Sequence, residues 1–330
     1  MKICLWFRTV DGPWGGGNQF LKALGRELSA RGHAITDWPS GGEDLLLINA
    51  FNAGANRRLN AREVADVRRS GKWTALSPYT PVALSRARRR RGPAIVHRLD
   101  GVGIAVRGVA TKADDVQSAV NALTDATIFQ TEYCLTSFAA HGVTPAHYTI
   151  IPNGVDGSIF YPSAAPRPLG KKLVFIGSSW SSNPRKGFAT LAALSEVPDV
   201  EVRFAGRWPE AIDSRNVVLL GAKSSHDLAD ALRDADAMVH AAQNEPCSNA
   251  VLEALACGLP VLYLDSGGTR EIAGDYGVAI GSDLAANVDA LRASYDALRE
   301  RVRAERSRFL IEAAATAYLR EFEIIRSLRG

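Results

Sequence analysis

The acidic residues best placed to bind a ligand are Glu245 and Glu253, which stand eight positions apart in "NEPCSNAVLEALACGLP". Glu253 is the only charged residue between Pro246 and Leu264, and its neighbours are small or apolar. A carboxylate in such surroundings is costly unless another group pairs with it. Because both hydroxyls of a sugar or ribose diol can donate to one carboxylate, the pair predicts a cleft that binds a polyhydroxylated ligand.

A short buried helix is predicted to carry Glu253. Ser248 or Asn249 is a suitable N-cap, and the glycine and proline of "CGLP" end the helix. The segment between is apolar nearly all round, so it should pack against a sheet. Glu245 precedes the helix and is expected to face the same cleft. The alternative is that Glu253 lies on a narrow exposed stripe.

A glycine cluster with Gly16 and Gly17 joins a predicted strand to a predicted helix in "RTVDGPWGGGNQFLKALGRELSARGH", residues 8–33. Glycine lets the backbone approach a ligand closely, and the first N–H groups of a helix bind anions. The spacing is not the dinucleotide fingerprint G-x-G-x-x-G, and Asp37 is the nearest acid to the end of the second strand. A tight turn without a ligand is the alternative.

A second loop of this kind, "FIGSSWSSNPRKGFATLAAL" at 175–194, places Arg185 and Lys186 at the start of a helix. Cations are disfavoured at a helix N-terminus by the helix dipole. An anionic ligand that shares the site would explain both of them. Two solvated side chains are the alternative.

The composition is that of a globular protein with room for two cores. The chain has 330 residues, of which 46% are hydrophobic and 22% charged, and its apolar runs are too short for a membrane span. The N-terminus has no secretory pattern, and the four cysteines are scattered without metal-ligand spacing. We therefore expect a reduced, cytoplasmic protein.

Positive charge is concentrated in the first half of the chain. Of the net charge of +4, residues 1–165 contribute +6 and residues 166–330 contribute −2. Much of the excess lies in "SRARRRRGP" at 85–93. This Arg-rich run predicts contact with an anionic surface or substrate, and a solvated loop is the alternative.

Short apolar runs alternate with helical patterns along the whole chain, which predicts parallel sheets built from βαβ units. A segment rich in Pro, Ala and Gly at 161–172 has the composition of a linker. We therefore predict an N-terminal domain at 1–165 and a C-terminal domain at 166–330. Both are doubly wound, Rossmann-like α/β domains that face a cleft, and ligands bind such sheets beyond the carboxyl ends of their strands.

The strands are predicted at 2–7, 33–37, 45–48, 73–76, 94–98, 126–129 and 147–151, then at 172–177, 200–204, 217–220, 236–240, 260–264 and 278–280. The last helix is predicted at 301–328, where an apolar stripe comprises Phe309, Leu310, Ala313, Ala314, Ala317, Tyr318 and Phe322.

Several segments together resemble the retaining family-four glycosyltransferases of GT-B fold. "EPCSNAVLEALACGLPVLYLDSGGTREI" resembles the Glu-x7-Glu motif of that family, and "TIIPNGVDGSIFYP" at 149–162 resembles its interdomain signature. "GGGNQFLKALGRELSARGH" is similar to its N-terminal loop and helix, and "NPRKG" to its donor-phosphate loop. The similarity implies a GT-B fold whose C-terminal helix packs back on the N-terminal domain.

The resemblance also implies roles for individual residues. Glu245 would bind hydroxyls of the donor sugar, Glu253 the ribose, and Lys186 the departing diphosphate. The backbone amides implied for the diphosphate are those of Ser248, Asn249, Ala250, Gly16 and Gly17.

Other residues match the family loosely or depart from it. His97 in "IVHRLDG" stands where the family often has a histidine near the sugar, with a structural histidine as the alternative. Arg98 and Asp100 are outside the general pattern, and we assign them to acceptor binding. Ser178 occupies a position where the family usually has a basic residue, so Arg185 or Arg207 is expected to supply that charge.

The implied reaction transfers a sugar from a nucleoside-diphosphate sugar to an acceptor hydroxyl with retention of anomeric configuration. It would be a hexosyl transfer in cell-envelope polysaccharide, glycolipid or secondary-metabolite assembly. The acceptor would be a sugar, a lipid-linked molecule or a small molecule. The donor is a substrate, with UDP favoured as its nucleotide, and no cofactor, metal or nucleic acid is expected. Peripheral contact with an anionic membrane at the inner face is a further expectation.

Two other classes of function remain as alternatives. An NAD-dependent oxidoreductase would share the α/β pattern but should have the missing dinucleotide fingerprint. A non-catalytic protein that binds nucleic acid or an anionic surface through residues 85–93 would leave the two glutamates and "NPRKG" unexplained.

Overall fold

The computed structural model describes residues 1–12, 15–54, 57–70, 92–108, 112–165 and 167–329. The strand predicted at 73–76 and residues 85–91 of the Arg-rich run lie outside the described residues.

The first half of the chain forms a parallel sheet of six strands in the order β2-β1-β3-β4-β5-β6. Its central strand β3 is buried on both faces, as expected of a parallel sheet covered by helices on both sides. The strands are β1 (Lys2–Leu5), β2 (Ala34–Thr36), β3 (Leu45–Asn49), β4 (Ala94–Leu99), β5 (Ala126–Phe129) and β6 (Tyr148–Ile150), and the helices among them are α1 (Gly16–Ala30), α2 (Ala61–Ser70), α3 (Gly103–Arg107), α4 (Lys112–Asn121) and α5 (Glu132–Ala139).

The second half forms another parallel sheet of six strands, in the order β12-β11-β10-β7-β8-β9. The chain reverses its direction of travel across the sheet between β7 and β10, and such a switch point is where doubly wound sheets bind ligands. The strands are β7 (Leu173–Ser179), β8 (Val200–Gly206), β9 (Val218–Gly221), β10 (Ala237–His240), β11 (Val261–Tyr263) and β12 (Gly277–Ala279), and the helices are α6 (Phe188–Leu194), α7 (Ser225–Arg233), α8 (Asn249–Ala256), α9 (Thr269–Ala273) and α10 (Leu284–Ala304).

The end of the chain crosses from the second sheet to the first. The helix predicted at 301–328 is in fact two helices, because α10 ends at Ala304 and α11 (Ile311–Arg329) begins after a short 3-10 turn. The crossing is fixed by Arg306, whose guanidinium donates to the carbonyls of Ala256 at 2.9 Å and Phe160 at 2.8 Å. The apolar face of α11 is then buried against the N-terminal sheet and α1 through Ile311, Ala314, Ala315, Tyr318, Phe322 and Ile325.

The predicted fold class is confirmed, with two Rossmann-like sheets and a final helix packed on the first of them. The predicted strands within the described residues appear with small shifts at their ends. Helix α3, five residues long, was not predicted, since its glycine and β-branched residues carry little helical signal.

Candidate active site

A cleft of about 400 Å³ lies between the carboxyl ends of the two sheets. Most of the residues predicted for the site line it: Gly16, Gly17, Arg98, Asp100, Lys186, Glu245, Ser248, Asn249, Ala250 and Glu253. Arg185, Arg207 and His97 are not among the lining residues.

Two helix N-termini meet at this cleft, one from each domain. Neither α1 nor α8 has an acidic residue in its first turn or a side-chain cap, so their first N–H groups have no such partner. The Asn249 amide donates to the Gly16 carbonyl at 2.9 Å, which holds the two helix starts together. A Cβ at Gly16 would lie 3.1 Å from Asn249 Nδ2, so a side chain there would press on this contact. The pair of helix N-termini forms a positive, donor-rich surface suited to an anion.

Lys186 and Glu245 form an ion pair in the wall of the cleft. Lys186 ends a 3-10 turn (Pro184–Lys186) that Asn183 caps by accepting from the Arg185 N–H at 3.0 Å. Gly187 follows with φ 81°, and a Cβ on it would lie 2.2 Å from the Ala241 carbonyl oxygen. Glycine at this position therefore lets the turn lie directly against the chain that leaves β10, which sets Lys186 beside Glu245.

Glu253 faces the cleft from α8 and is otherwise enclosed. No hydrogen bond or ion pair of its carboxyl group to another described residue is found. Burial raises the pKa of Glu253 from its ordinary value of 4.5 to about 8. The expectation that this carboxyl group needs a partner from outside the protein therefore agrees with its surroundings.

Arg98 lies beneath the cleft with only 1% of its surface exposed. It donates to the Asn49 amide oxygen and, at 2.6 Å, to Asn153 Oδ1, and its guanidinium lies 4.6 Å from the centre of the Phe20 ring. Asn153 in turn donates to Asn249 Oδ1 at 2.7 Å. No carboxylate among the described residues pairs with Arg98, so its positive charge reaches the cleft uncompensated.

Arg185 does not supply the cation expected near Ser178. Its guanidinium donates to the Ala105 carbonyl at 2.6 Å, where Asn244 also donates at 3.1 Å. Ala105 belongs to α3 of the N-terminal domain, so Arg185 joins the two domains. A side chain that bridges domains depends on tertiary packing, which the sequence "NPRKG" does not encode.

Arg207 does not line the cleft itself, but its guanidinium lies 4.5 Å from the centre of the ring of Trp180, which does. Such a cation–π contact stabilises the long loop after β7.

His97 corrects a prediction about the sugar site. Its ring is fully buried, with Nε2 2.7 Å from the Ala50 carbonyl and Nδ1 3.2 Å from the Asn121 amide nitrogen. Burial lowers its pKa to about 4, so the ring is neutral. Side chains alternate along a strand, so His97 and Arg98 point to opposite faces of β4, and His97 points into the core rather than to the cleft.

Asn153, Lys223 and His240 are among the lining residues that the sequence analysis did not single out. Asn153 lies within the "PNGVD" segment, and His240 is the last residue of a buried strand. Position at the carboxyl end of a parallel strand was the signal that could have identified His240.

Contacts between the domains hold the cleft in this shape. The Glu271 carboxylate accepts from the backbone N–H groups of Glu132 at 2.7 Å and Tyr133 at 2.9 Å, at the start of α5. The Thr131 hydroxyl donates to the Pro246 carbonyl at 2.8 Å, next to the segment that carries Glu245.

Two observations concern metals and membranes. Across the described ranges, no group of three or more His, Cys, Asp or Glu residues could hold a metal ion. In the same ranges, no helix combines the length and the apolar character that crossing a membrane requires.

Comparison with known proteins connects this geometry to a family. Residues 170–313 match the family model described as glycosyl transferases group 1. Sucrose-phosphate synthase from Thermosynechococcus elongatus superposes with a TM-score of 0.71 and 17% identity, covering 99% of this chain and all of that one. Anabaena Alr3699/HepE in complex with UDP and glucose gives a TM-score of 0.68 and 16% identity, covering 98% and 99%. The chain has the GT-B fold, and residues 170–313 of its C-terminal half are similar to the group 1 glycosyltransferases.

Curated relatives of this chain include a GDP-mannose-dependent alpha-mannosyltransferase of Mycolicibacterium smegmatis. It is 27% identical over 237 residues, which are 68% of this chain and 60% of the relative. A protein of the same description from Mycobacterium tuberculosis is 31% identical over 165 residues, or 46% of this chain and 42% of the relative. The chain thus spans no more than about three fifths of the length of these relatives. The resemblance to the family-four enzymes of GT-B fold is confirmed.

Proposed function

We propose that this protein transfers a hexosyl group from a nucleoside-diphosphate sugar to an acceptor hydroxyl, with retention of anomeric configuration. The observation that carries the proposal is the convergence of two helix N-termini, Lys186 and two glutamates on one cleft. Each group matches one part of such a donor: amides and a cation for the diphosphate, carboxylates for hydroxyls.

In this proposal the diphosphate lies between the first turn of α8 and the glycines that start α1. The first-turn residues are Ser248, Asn249 and Ala250, and the glycines are Gly16 and Gly17. These N–H groups are held in place before the reaction, so they stabilise the negative charge that grows on the departing diphosphate. The uncompensated charge of Arg98 beneath them adds to this field.

Lys186 and Glu245 exchange partners when the donor enters. Lys186 turns to the diphosphate and neutralises the leaving group, while Glu245 becomes free to accept from hydroxyls of the sugar. Glu253, farther along α8, accepts from the ribose hydroxyls. The ion pair of the ligand-free protein thus keeps both charges satisfied until the donor replaces it.

The acceptor hydroxyl approaches from the N-terminal domain, past Asp100. Attack on the face from which the diphosphate departs gives retention, and the diphosphate oxygen receives the proton of the acceptor. The role of Asp100 is to bind a hydroxyl of the acceptor. No metal or cofactor takes part in the proposed reaction, because fixed dipoles and cations stabilise the leaving group.

The named donors of relatives guide the choice of substrates to test. GDP-mannose is named for the mycobacterial relatives, and UDP with glucose for the Anabaena neighbour. We therefore propose a GDP- or UDP-hexose as donor and a sugar, lipid-linked or small-molecule acceptor. The enzyme would act in the cytoplasm, with the Arg-rich run 85–93 as a contact for an anionic membrane.

The test is turnover of GDP- and UDP-hexoses by the wild type and two lysine variants. Lys186→Ala should lower kcat at least about tenfold, because loss of a hydrogen-bonded charge of this kind costs about 1.5–3 kcal/mol. Lys171→Ala is the matched control, since the Lys171 side chain is 86% exposed and pairs only with Asp199 in the described structure. Full activity of the Lys186 variant would contradict its role, and absence of turnover and of nucleotide binding in the wild type would contradict the function.

A further inference from the structure

His240 ends β10 at the switch point of the C-terminal sheet, where β10 lies beside β7. The two strands pair in parallel register, Met238 opposite Ile176. His240 lies two residues beyond Met238, as Ser178 lies two residues beyond Ile176. Since side chains two apart share a face of a strand, His240 and Ser178 are neighbours on the same face.

The His240 ring lines the cleft but is only 6% exposed. Its Nε2 atom is buried and has no hydrogen-bond partner among the described residues. Two charged groups influence the pKa of the ring: the Glu245 carboxylate raises it, and the Lys186 ammonium group lowers it. Glu253 and Lys223 line the same cleft from α8 and from the loop before α7.

A buried nitrogen without a partner is costly, and the unpaired Nε2 of His240 lies at the wall of a cleft, where a ligand can complete its hydrogen bond. Burial lowers the pKa of His240 to about 4, so the ring is neutral in the ligand-free protein. An anion of high charge next to the ring would favour the protonated form and reverse this effect.

The other cations near the cleft are less suited to replace the charge missing at Ser178. Arg185 donates to the Ala105 carbonyl, and Arg207 stacks on the Trp180 ring without lining the cleft. Arg98 donates to two amide oxygens below the cleft. Lys223 follows β9, which is two strands away from β7, or about 10 Å at the usual spacing of strands.

We infer that His240 supplies the positive charge that is missing at Ser178 in the diphosphate site. When the diphosphate enters, Lys186 leaves Glu245, and the opened wall gives the His240 ring access to a diphosphate oxygen. The ring takes one proton from the solvent and donates an N–H to that oxygen. No covalent bond forms or breaks. The inference rests on the proposed function, because it requires a nucleoside diphosphate in this cleft.

Calorimetric titration with UDP and GDP tests the inference, in buffers that differ in ionisation enthalpy so that proton uptake is measured. Glu253 and the terminal phosphate titrate as well, so the difference between wild type and variant isolates His240. His240→Leu should bind the nucleotide that the wild type prefers at least about tenfold more weakly and should lose the proton uptake. His240→Gln keeps a hydrogen-bond donor but should lose the proton uptake too.

Two further variants separate charge from structure. Adding Ser178→Arg to His240→Leu should restore affinity without restoring proton uptake, because a guanidinium is already charged. His226→Gln, at an exposed histidine of α7, is the matched control and should bind as the wild type does. Ligand-free His240→Leu should unfold at a temperature at least as high as the wild type, since it removes a buried nitrogen without a partner.

Unchanged affinity and proton uptake in His240→Leu would overturn the inference. So would weakened binding accompanied by a clear loss of ligand-free thermal stability that Ser178→Arg does not relieve, because that result assigns His240 a structural role. If the wild type binds neither UDP nor GDP, the proposed function fails first and the inference fails with it.

Discussion

Replacement of Glu253 by Gln tests the assignment of this residue as a buried acid that waits for a ligand. Gln has nearly the same shape as Glu but cannot ionise. The native carboxyl group has a pKa of about 8, against 4.5 ordinarily. Between these values the folded protein keeps a proton that the unfolded chain releases, so the stability of the wild type falls as the pH rises.

The magnitude follows from the same shift. Each pKa unit corresponds to about 1.4 kcal/mol, which gives an upper limit of roughly 5 kcal/mol for the full shift of Glu253. Because the carboxyl group is partly exposed to the cleft, solvent reduces this figure. As the pH rises from about 5 to about 8, we expect the unfolding free energy of Glu253→Gln to increase by about 2 kcal/mol relative to that of the wild type.

Urea unfolding of both proteins at the two pH values measures this difference. Glu312→Gln, at an exposed position of α11, is the control and should show no such dependence on pH. Nucleotide binding gives the second readout. Glu253→Gln should weaken UDP or GDP binding at least about tenfold while leaving inorganic diphosphate, which has no ribose, unaffected. A parallel pH profile for wild type and variant, with equal nucleotide affinity, would refute the reasoning.

Two other predictions concern the interdomain crossing and the Arg-rich run. Gly154→Ala should destabilise the protein by about 1–3 kcal/mol in chemical unfolding, because a Cβ there would lie 2.5 Å from the Leu310 carbonyl oxygen. Gly170→Ala should be nearly neutral, because the nearest atom to a Cβ there, at 3.8 Å, is at an ordinary contact distance. Replacing Arg88 to Arg91 with Ser should weaken sedimentation with anionic liposomes. Equal binding of that variant would favour a solvated loop.

Much of the fold could be predicted because its signals are local. Strands such as β3 and β10 are short apolar runs between polar turns, and these patterns depend only on neighbouring residues. The "CGLP" segment ends α8 as expected, with Gly258 at φ 85°. The break between α10 and α11 was missed because it results from Arg306, whose partners lie about 50 and 146 positions away in the chain.

The sequence identifies residues that line the cleft where residue type and local position suffice, and it errs about the position of a side chain where tertiary contacts decide. Glu245, Lys186 and Glu253 are each next to a helix start or on a helix that the sequence identifies. The prediction that His97 lies near the donor sugar was wrong, because a shift of one residue along β4 moves a side chain to the other face of the sheet. The position of the Arg185 side chain could not be predicted, because its partner, the Ala105 carbonyl, belongs to the other domain.

The anion site is made of parts from both domains, so donor binding is coupled to the arrangement of the two domains. Gly16 belongs to one domain and Asn249 to the other, and Asn153 near the linker contacts Asn249. Separation of the domains would break the bond from Asn249 to Gly16 and move the two helix N-termini apart. A ligand that contacts both helix starts must therefore bind more tightly when the Asn249–Gly16 bond is formed than when the domains are apart. Ligand binding then stabilises the closed arrangement of the domains by the difference between these two binding free energies. Arg98 donates to Asn153, and Asn153 donates to Asn249. The residue that adds positive charge beneath the site is therefore also bonded to the side chains that connect the two helix starts.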